Sequence, residues 1–488
     1  MLDTAARPAP TSTRDRSLYR AVWRWHFYAG LFAIPVIVIL SLSGIVYLFK
    51  PQLNSLLYGD LVKVPAAATS VPFQQQLDTV KARYPDASIG TVFTPDNAKR
   101  STQFDLTAGG KDLSVFVNPH TGRVLGARNN AHDPARIALE LHGSLMTGKW
   151  LHSKTIGDRF IELVAGWTVV MVVTGLYLWW PRKRRDRTAG ARRDRLRGVL
   201  SIRRRPGNPR LFWRDLHAVT GVLFSFVLLF FLVTGMAWTG YWGAKFSSAA
   251  NSVDGYTKGS FSFSAQSKVP ATVGELLPDG RSPWAAGQLP LAPSQLPAAP
   301  SPASAPVSID AVLDTARAQG MTGSLAVVPP SDPTGSWFVG HYSDTDGAPN
   351  RSSLDDRIIY VDQYSAKPIE TYRYADYGAT GKAYDTGIAL HEGREWGLAS
   401  QLLALAGVLA ILLSVASSLV MWRKRRPSGL GAPRKEPDRR IGYGVLVLMA
   451  GLGLLFPLVG LSMVLLLTAE FFVLRRIKPV ARALGLED

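Results

Sequence analysis

Long apolar runs constrain this chain more than any other feature of its sequence. Residues 27–49 contain no charged residue. At a rise of about 1.5 Å per residue, a helix of that length crosses the ~30 Å hydrocarbon layer of a membrane. Comparable runs follow at residues 160–180, 218–242, 396–422 and 441–474. The last run contains one charged residue, Glu470, and aromatic residues mark the run ends as they do at membrane interfaces. The sequence therefore predicts an integral membrane protein.

The distribution of positive charge predicts which way these helices cross the membrane. The chain carries a net charge of +19, and residues 182–210 alone hold 13 basic and 2 acidic residues. Residues 423–440, the first 24 residues and residues 475–488 are also basic, whereas the long segments between the runs are not. The positive-inside rule places the basic segments and both termini in the cytoplasm. Because topology explains the charge, we expect no nucleic-acid partner.

Composition excludes several kinds of site. The chain has no Cys, so it holds no disulfide, no Cys-ligated zinc, no iron–sulfur cluster and no thiolate nucleophile.

The predicted fold is an α-helical membrane bundle, with four core helices and a C-terminal helical hairpin, that carries two external α/β domains. The predicted order is a cytoplasmic tail (1–16), TM1 (17–49), a first external domain (50–158), TM2 (159–181), a basic loop (182–210), TM3 (211–242), a second external domain (243–390) with a Pro/Ala-rich linker (261–306), TM4 (391–422), a second basic loop (423–440), and a hairpin of TM5 and TM6 (441–474) broken near Pro457. Each external domain is predicted to begin with a helix and continue in strands.

The chain also predicts an internal repeat of helix, external domain and helix. Trp-Arg-Trp-His enters the first run and Trp-Arg-Asp-Leu-His enters the third, with a glycine four residues after each histidine, at Gly30 and Gly221. Leu-His precedes both the second and the fourth run. The first run ends near Ser43-Gly44, and the third contains Thr234-Gly235. Such parallel repeats are typical of pseudo-symmetric helical bundles.

Four histidines occupy equivalent places in this repeat. His26 and His217 lie just inside the cytoplasmic ends of runs one and three, and His142 and His391 lie at the outer ends of runs two and four. Ionisable side chains near membrane helices are costly unless they are paired, and they often mark functional sites. Two histidines on facing helices, with glycine leaving room for a flat macrocycle, can ligate haem iron axially. We therefore expect two haem b groups, one near each membrane face.

Other interpretations of these histidines stay open from sequence alone. Interfacial histidines often only form hydrogen bonds, and a transition-metal site is a second possibility, although it would usually recruit carboxylates. Further candidates are His152 as a third ligand or substrate-side group, Glu162 as a partner of a histidine or a propionate, and Arg24 and Arg214 as propionate partners.

The combination of motifs resembles the PepSY-associated transmembrane family. The matching residues are Trp-x-Trp-His at 23–26, Val-Asn-Pro-x-Thr-Gly-x-Val at 117–124, Leu-His-x-x-Leu at 141–145, Gly-Leu-Tyr-Leu-Trp-Trp-Pro at 175–181, Asp-Leu-His at 215–217 and Leu-His-x-Gly at 390–393. The resemblance implies a bacterial inner-membrane protein with PepSY-like periplasmic domains. It also implies haem ligation by His26, His217, His142 and His391, and it does not clearly extend to His152.

The resemblance implies an iron-regulated ferric-siderophore reductase, an oxidoreductase that passes electrons to periplasmic ferric siderophore. The chain has no G-x-G-x-x-G dinucleotide motif after a strand, so we expect the electron donor to be a separate reductase or a membrane quinol. Two alternatives differ in class. One is a non-enzymatic PepSY sensor or regulator that tolerates loss of the histidines. The other is a siderophore or iron transporter, for which broken helices and midplane charge are expected, and the first four runs predict neither.

Overall fold

A computed structural model describes residues 13–180, 201–203, 208–253, 294, 306–341, 352–425 and 439–484. Most of the predicted tail, most of both basic loops and nearly all of the linker at 261–306 lie outside the described residues. The chain divides into two compact units. The helical unit comprises Met1–Leu42, Gly143–Ala244 and Ala406–Asp488, and the sheet unit comprises Ser43–His142 and Lys245–Leu405.

Helices dominate the described residues. In chain order they are α1 (Thr13–Leu48), α2 (Lys50–Leu57), α3 (Gly59–Val62), α4 (Phe73–Arg83), α5 (Pro134–Ser144), α6 (Thr147–Trp150), α7 (Lys154–Trp179), α8 (Pro209–Leu223), α9 (Ser225–Met236), α10 (Trp242–Val253), α11 (Ile309–Ala318), α12 (Ala379–His391), α13 (Leu398–Arg425), α14 (Arg439–Leu455), α15 (Pro457–Ala469) and α16 (Lys478–Ala483). A π-helical turn, Glu470–Leu474, continues α15.

Among the described residues, four helical segments are long and apolar enough to cross a membrane. They are Leu18–Leu48, Lys154–Trp179, Leu398–Arg425 and Pro457–Leu474. The bent pair α8–α9 brings the number to five if it forms one span. The prediction of several membrane-spanning helices is therefore confirmed.

One face of α1 packs into the centre of the helical unit. Ala29, Ala33, Val36 and Ile37 are buried at the three- and four-residue spacing of a helical face. They join two buried clusters to which α7 contributes Val164, Trp167 and Val170. Alanines on α1 allow close approach of the neighbouring helices, as is common in membrane bundles.

The third predicted span is broken, which the sequence did not predict. α8 and α9 meet at Phe224 with a bend of 50°. There is no proline at the break, but the Ser225 hydroxyl donates to the Val222 carbonyl at 2.7 Å. A side chain that bonds to the backbone of the preceding turn bends a helix without leaving a strong sequence signal.

The fourth predicted span also differs at its beginning. His391 ends α12, and the spanning helix α13 begins only at Leu398. Gly393 and Gly397 between them have φ of +67° and +57°, a left-handed backbone that interrupts a helix. The last apolar stretch breaks at Phe456, beside Pro457, into α14 and α15.

The sheet unit contains one antiparallel sheet of eight strands among the described residues. The strands are β1 (Ser88–Phe93), β2 (Thr102–Ala108), β3 (Lys111–Val117), β4 (Val124–Asn129), β5 (Ala326–Val328), β6 (Trp337–Gly340), β7 (Arg357–Val361) and β8 (Pro368–Arg373), in the order β4-β3-β2-β1-β5-β6-β7-β8. The two predicted α/β segments contribute four strands each. They join through β1 and β5, where Val92 pairs with Val327 and Phe93 with Ala326.

The two segments share one hydrophobic core instead of forming two. Each helix buries residues that are three or four positions apart. They include Leu77 and Val80 on α4, and Ile309, Val312 and Leu313 on α11. These residues belong to the same cluster as Val92 and Val339 from opposite halves of the sheet. Pairing of β1 with β5 leaves neither strand as an open edge, which explains why the segments fold together.

The beginnings of α4 and α11 are linked by reciprocal hydrogen bonds. The Asp310 carboxylate accepts from the Phe73 N–H at 2.8 Å and from the Gln74 N–H at 2.9 Å. In return, the Ile309 N–H donates to the Gln74 side-chain oxygen at 3.3 Å. Asp310, in the second half of the chain, therefore caps a helix in the first half.

We expect Asp310→Ala to destabilise the sheet unit by about 1–2 kcal/mol, the usual cost of losing a helix cap. Thermal unfolding of the full chain in detergent, followed by circular dichroism, measures the effect. Asp314→Ala is the matched control, because Asp314 lies on the same helix and is exposed. Equal melting temperatures for the two variants would contradict the capping role.

Candidate functional site

The structure brings His26 and His217 together within the helical unit. Their ring centroids are 6.2 Å apart and their planes are inclined by 64°. His26 lies on α1 and His217 lies on α8, so two helices far apart in sequence supply the pair. We refer to these residues as the first histidine pair.

Backbone carbonyls orient both rings of this pair. His26 Nδ1 lies 2.9 Å from the Met171 carbonyl oxygen of α7, and His217 Nδ1 lies 3.0 Å from the Ser414 carbonyl oxygen of α13. A carbonyl oxygen only accepts, so Nδ1 is the donor in each case. The neutral ring then keeps its lone pair on Nε2, which is the arrangement of a metal-binding imidazole with a supported second nitrogen.

His142 and His391 form a second histidine pair within the sheet unit. Their centroids are also 6.2 Å apart, with an interplanar angle of 87°. His142 lies on α5 and His391 ends α12, and both helices precede a predicted span. Burial and the neighbouring His142 lower the pKa of His391 to about 3, so this ring is neutral at neutral pH.

A hydroxyl-bearing residue followed by glycine contacts one ring of each pair. His26 Nδ1 lies 3.2 Å from Thr174 Oγ1, and a Cβ on Gly175 would lie 3.0 Å from His26 Cε1. His142 Nδ1 lies 3.4 Å from Ser43 Oγ, and a Cβ on Gly44 would lie 3.3 Å from His142 Cε1. In both places the glycine leaves the space that the imidazole occupies.

Sequence reasoning missed Thr174-Gly175, although a signal was present. The same kind of dipeptide recurs as Ser43-Gly44 and Thr234-Gly235, and only these two were considered. Gly30 and Gly221, by contrast, have room for a side-chain methyl group. A Cβ on Gly30 would lie 3.7 Å from Met171 Sδ, and a Cβ on Gly221 would lie 3.8 Å from Ser414 Oγ, which are ordinary van der Waals distances.

The remaining predicted site residues are not part of either pair. His152 is exposed in a left-handed turn before α7. Glu162 is buried, and its carboxylate accepts from the Tyr241 N–H at 3.1 Å. The Arg159 guanidinium lies 3.4 Å from the same carboxylate. The Arg24 guanidinium lies 5.2 Å from the centre of the Tyr28 ring, and Arg214 pairs with Asp215 at 2.6 Å.

The separation of the two rings in each pair is one that two imidazoles holding a single metal ion could have. A metal–imidazole bond of about 2.0 Å, plus about 1.1 Å from nitrogen to ring centre, puts the centroids of two opposed imidazoles about 6 Å apart. Both pairs have a separation of 6.2 Å. Within the described part of the chain, no group of three or more histidine, aspartate and glutamate side chains is placed to hold a metal ion.

A buried group of charges, the carboxylate cluster, lies in the sheet unit. It consists of Asp356, Asp385, Glu395 and Arg394, all with less than one-tenth of their surface exposed and interacting electrostatically. The Arg394 guanidinium also donates to the Glu392 carboxylate at 2.9 Å. Glu395 accepts from the Ser353 N–H at 2.8 Å and from the Ser352 hydroxyl at 2.9 Å. The pKa of Asp356 is raised well above its usual range, mainly by burial. The Arg394 charge lowers this pKa, whereas the negative charges of Asp385, Glu395 and Asp355 raise it further.

These features define a multi-span membrane protein that carries two histidine pairs and an antiparallel sheet. A family model described as the PepSY-associated TM region matches residues 23–425. The chain belongs to this family, as its motifs predicted, and all four paired histidines lie inside the matched range. A comparison with curated proteins gave no match.

We expect Asp356→Asn to flatten the pH dependence of stability. Because the folded-state pKa of Asp356 is raised, the folded protein binds more protons than the unfolded chain above about pH 4, where an ordinary aspartate ionises. Stability therefore falls as pH rises from there through the raised pKa, by up to about 1.4 kcal/mol per pH unit for one proton. Melting temperatures of the full chain between pH 4.5 and 7.5 measure the slope.

Asp314→Asn on the exposed face of α11 is the control for removing one carboxylate. If Asp356→Asn keeps the wild-type slope, Asp356 is not the group whose ionisation destabilises the fold.

Proposed function

We propose that the chain is a di-haem electron-transfer protein of the bacterial inner membrane that reduces ferric siderophore in the periplasm and so releases Fe(II). In this proposal the first histidine pair binds one haem b near the cytoplasmic face. The second pair binds another near the periplasmic face. The observation that carries the proposal is the equal separation of 6.2 Å in both pairs.

The residues around the rings support haem as the bound group. Haem iron takes two axial imidazoles through neutral nitrogen, and the Met171 and Ser414 carbonyls leave Nε2 of the first pair available. Among the described residues, no third histidine, aspartate or glutamate joins either pair to form a metal site. Two protein ligands are enough for haem, because the macrocycle supplies the other iron ligands. Haem bound there would supply reversible one-electron exchange.

The chain's own residues would tune that exchange. Hydrogen bonds from Nδ1 to a carbonyl fix ring orientation and increase the basicity of the ligating nitrogen. Gly175 and Gly44 let helix backbone approach the rings of His26 and His142 closely. Burial of such a site sets the iron's preference for its oxidised or reduced form.

Topology and the internal repeat complete the proposal. The positive-inside distribution supports cytoplasmic termini and a periplasmic sheet unit. The repeat is supported by the equivalent positions of the pairs, on α1 and α8 and on α5 and α12. A separate reductase or a membrane quinol would supply the electrons.

We expect two haem b groups per chain in a pyridine haemochrome assay of the purified protein. His26→Ala or His217→Ala should each leave about one haem, because a single axial imidazole holds iron poorly. His142→Ala or His391→Ala should remove the other haem. His132→Ala, in an exposed turn, is the control that should retain both.

A colourless protein from haem-replete cells would refute the haem proposal. If haem is present, mixing the dithionite-reduced protein with ferric hydroxamate or ferric catecholate siderophore should reoxidise it and deliver Fe(II) to a chelator. A sensor would instead keep its biological effect in all four alanine variants. A transporter, with which the broken α8–α9 pair is compatible, would accumulate iron in vesicles without reducing it.

We also expect Gly175→Ala to lower haem occupancy of the first pair. The new methyl group would stand 3.0 Å from His26 Cε1, closer than side chains ordinarily pack, and would push the ring out of position. Gly30→Ala is the matched control one turn beyond His26, since its methyl group meets Met171 Sδ at an ordinary 3.7 Å. Equal occupancy in both variants would contradict the packing role of Gly175.

A further inference from the structure

A cleft of about 370 Å³ lies along the end of α15 and the π-helical turn that follows it in the helical unit. Its walls are formed by Leu467, Thr468, Glu470, Phe471, Phe472 and Arg475. These residues follow the range that the family model matches, so the cleft is a feature of this chain beyond the matched region. All of its lining residues come from one continuous segment, so the cleft is an open groove along that segment.

The charge in this cleft is unusual for its surroundings. Glu470 is the only charged residue of the apolar stretch 441–474, and ionisable residues in such stretches commonly serve a function. Its carboxylate pairs with Arg475 at 3.1 Å. The pair is nearly neutral as a whole, which disfavours a phosphate headgroup as the ligand and favours a neutral molecule that carries hydroxyl groups.

A π-helical turn makes this pairing possible. Residues five apart lie about 140° apart around an α-helix, on different faces. In the turn Glu470–Leu474, the Arg475 N–H donates to the Glu470 carbonyl at 3.3 Å, which brings both side chains to the same side. Such turns are rare and occur frequently at functional sites.

The segment that follows the cleft is held against α1. The hydroxyl of Tyr28, two residues after His26, donates to the Leu484 carbonyl at 2.8 Å. This bond joins the C-terminal segment to the helix that supplies one residue of the first histidine pair.

We propose that this cleft binds the headgroup of a membrane quinol and that Glu470 accepts a proton from a quinol hydroxyl. Apolar and aromatic walls suit the quinol ring and the first part of its tail, and the carboxylate suits its hydroxyl group. The inference rests on the proposed function, because it names the electron donor for the haem of the first pair.

The reaction balances with ferric haem iron as the oxidant. Oxidation of the quinol to the quinone breaks two O–H bonds and releases two electrons and two protons. Haem held between His26 and His217 would take up the two electrons in two successive one-electron reductions of ferric iron. One proton goes to the Glu470 carboxylate and the other goes to water.

The test for binding uses a probe that does not depend on turnover. The fluorescence of 2-heptyl-4-hydroxyquinoline N-oxide, a quinol analogue, should be quenched on binding to the purified full chain in detergent. Leu467→Trp, which fills the cleft, should weaken binding by at least about tenfold. Leu465→Trp, on an exposed part of the same helix outside the cleft, is the matched control and should bind like the wild type.

The test for proton transfer uses the haem-loaded protein. Glu470→Gln should bind the analogue within about threefold of wild type but be reduced by decylubiquinol or menadiol about 100-fold more slowly, as expected for loss of a general base. Reduction by dithionite should be unchanged, because that reagent needs no proton acceptor in the cleft.

The outcomes separate this inference from the proposed function. A haem-containing protein that fails to bind the analogue, or that binds it equally in both tryptophan variants, overturns the quinol site and leaves the haem proposal standing. Displacement of the analogue by vesicles of anionic phospholipid, but not by decylubiquinone, also overturns it and identifies a lipid site. Analogue binding by a His26→Ala, His217→Ala double variant, which lacks only the haem of the first pair, supports the cleft independently of that haem.

Discussion

The hydrogen bonds from histidine Nδ1 to backbone carbonyls are the interactions on which the first histidine pair depends. Each bond joins two helices, α1 to α7 through Met171 and α8 to α13 through Ser414. In an apolar environment a buried imidazole N–H without a partner is costly, so these contacts restrict how the helices can slide or rotate. The same bonds determine which nitrogen remains available for a metal. The same two hydrogen bonds therefore hold helices together and set which ring nitrogen is available.

The sequence predicted the membrane helices and the histidine pairs because each has a strong local signal. Charge-free runs of about 20 residues mark spans, and four histidines at equivalent repeat positions mark pairs. The break at Phe224 could not be predicted, because there is no proline there and the bond from the Ser225 hydroxyl to the Val222 carbonyl leaves no strong local signal. Thr174-Gly175 was overlooked, because a hydroxyl-bearing residue and a glycine are ordinary in membrane helices.

The joining of the two α/β segments was beyond local sequence patterns. Helices begin at Phe73 and Ile309 and precede the strands, as predicted for the two segments, because their apolar spacing is regular. Pairing of β1 with β5 depends on which strand edges meet in three dimensions, and alternation of apolar residues does not specify a partner strand. The same is true of the carboxylate cluster, whose members Asp356 and Arg394 come from different elements of the sheet unit.

The β1–β5 pairing also determines the order in which the chain can fold. β1 ends at Phe93 and β5 begins at Ala326, so more than 200 residues are synthesised between them, including α7, α8 and α9. At typical rates of about 5–20 residues per second, the first half of the sheet waits about 10–50 s for its partner strand. During that time β1 is an open edge with an apolar face, which is the kind of surface that pairs with other chains. The edge of β1 therefore lacks its native neighbour while the helices between the two halves of the sheet are synthesised.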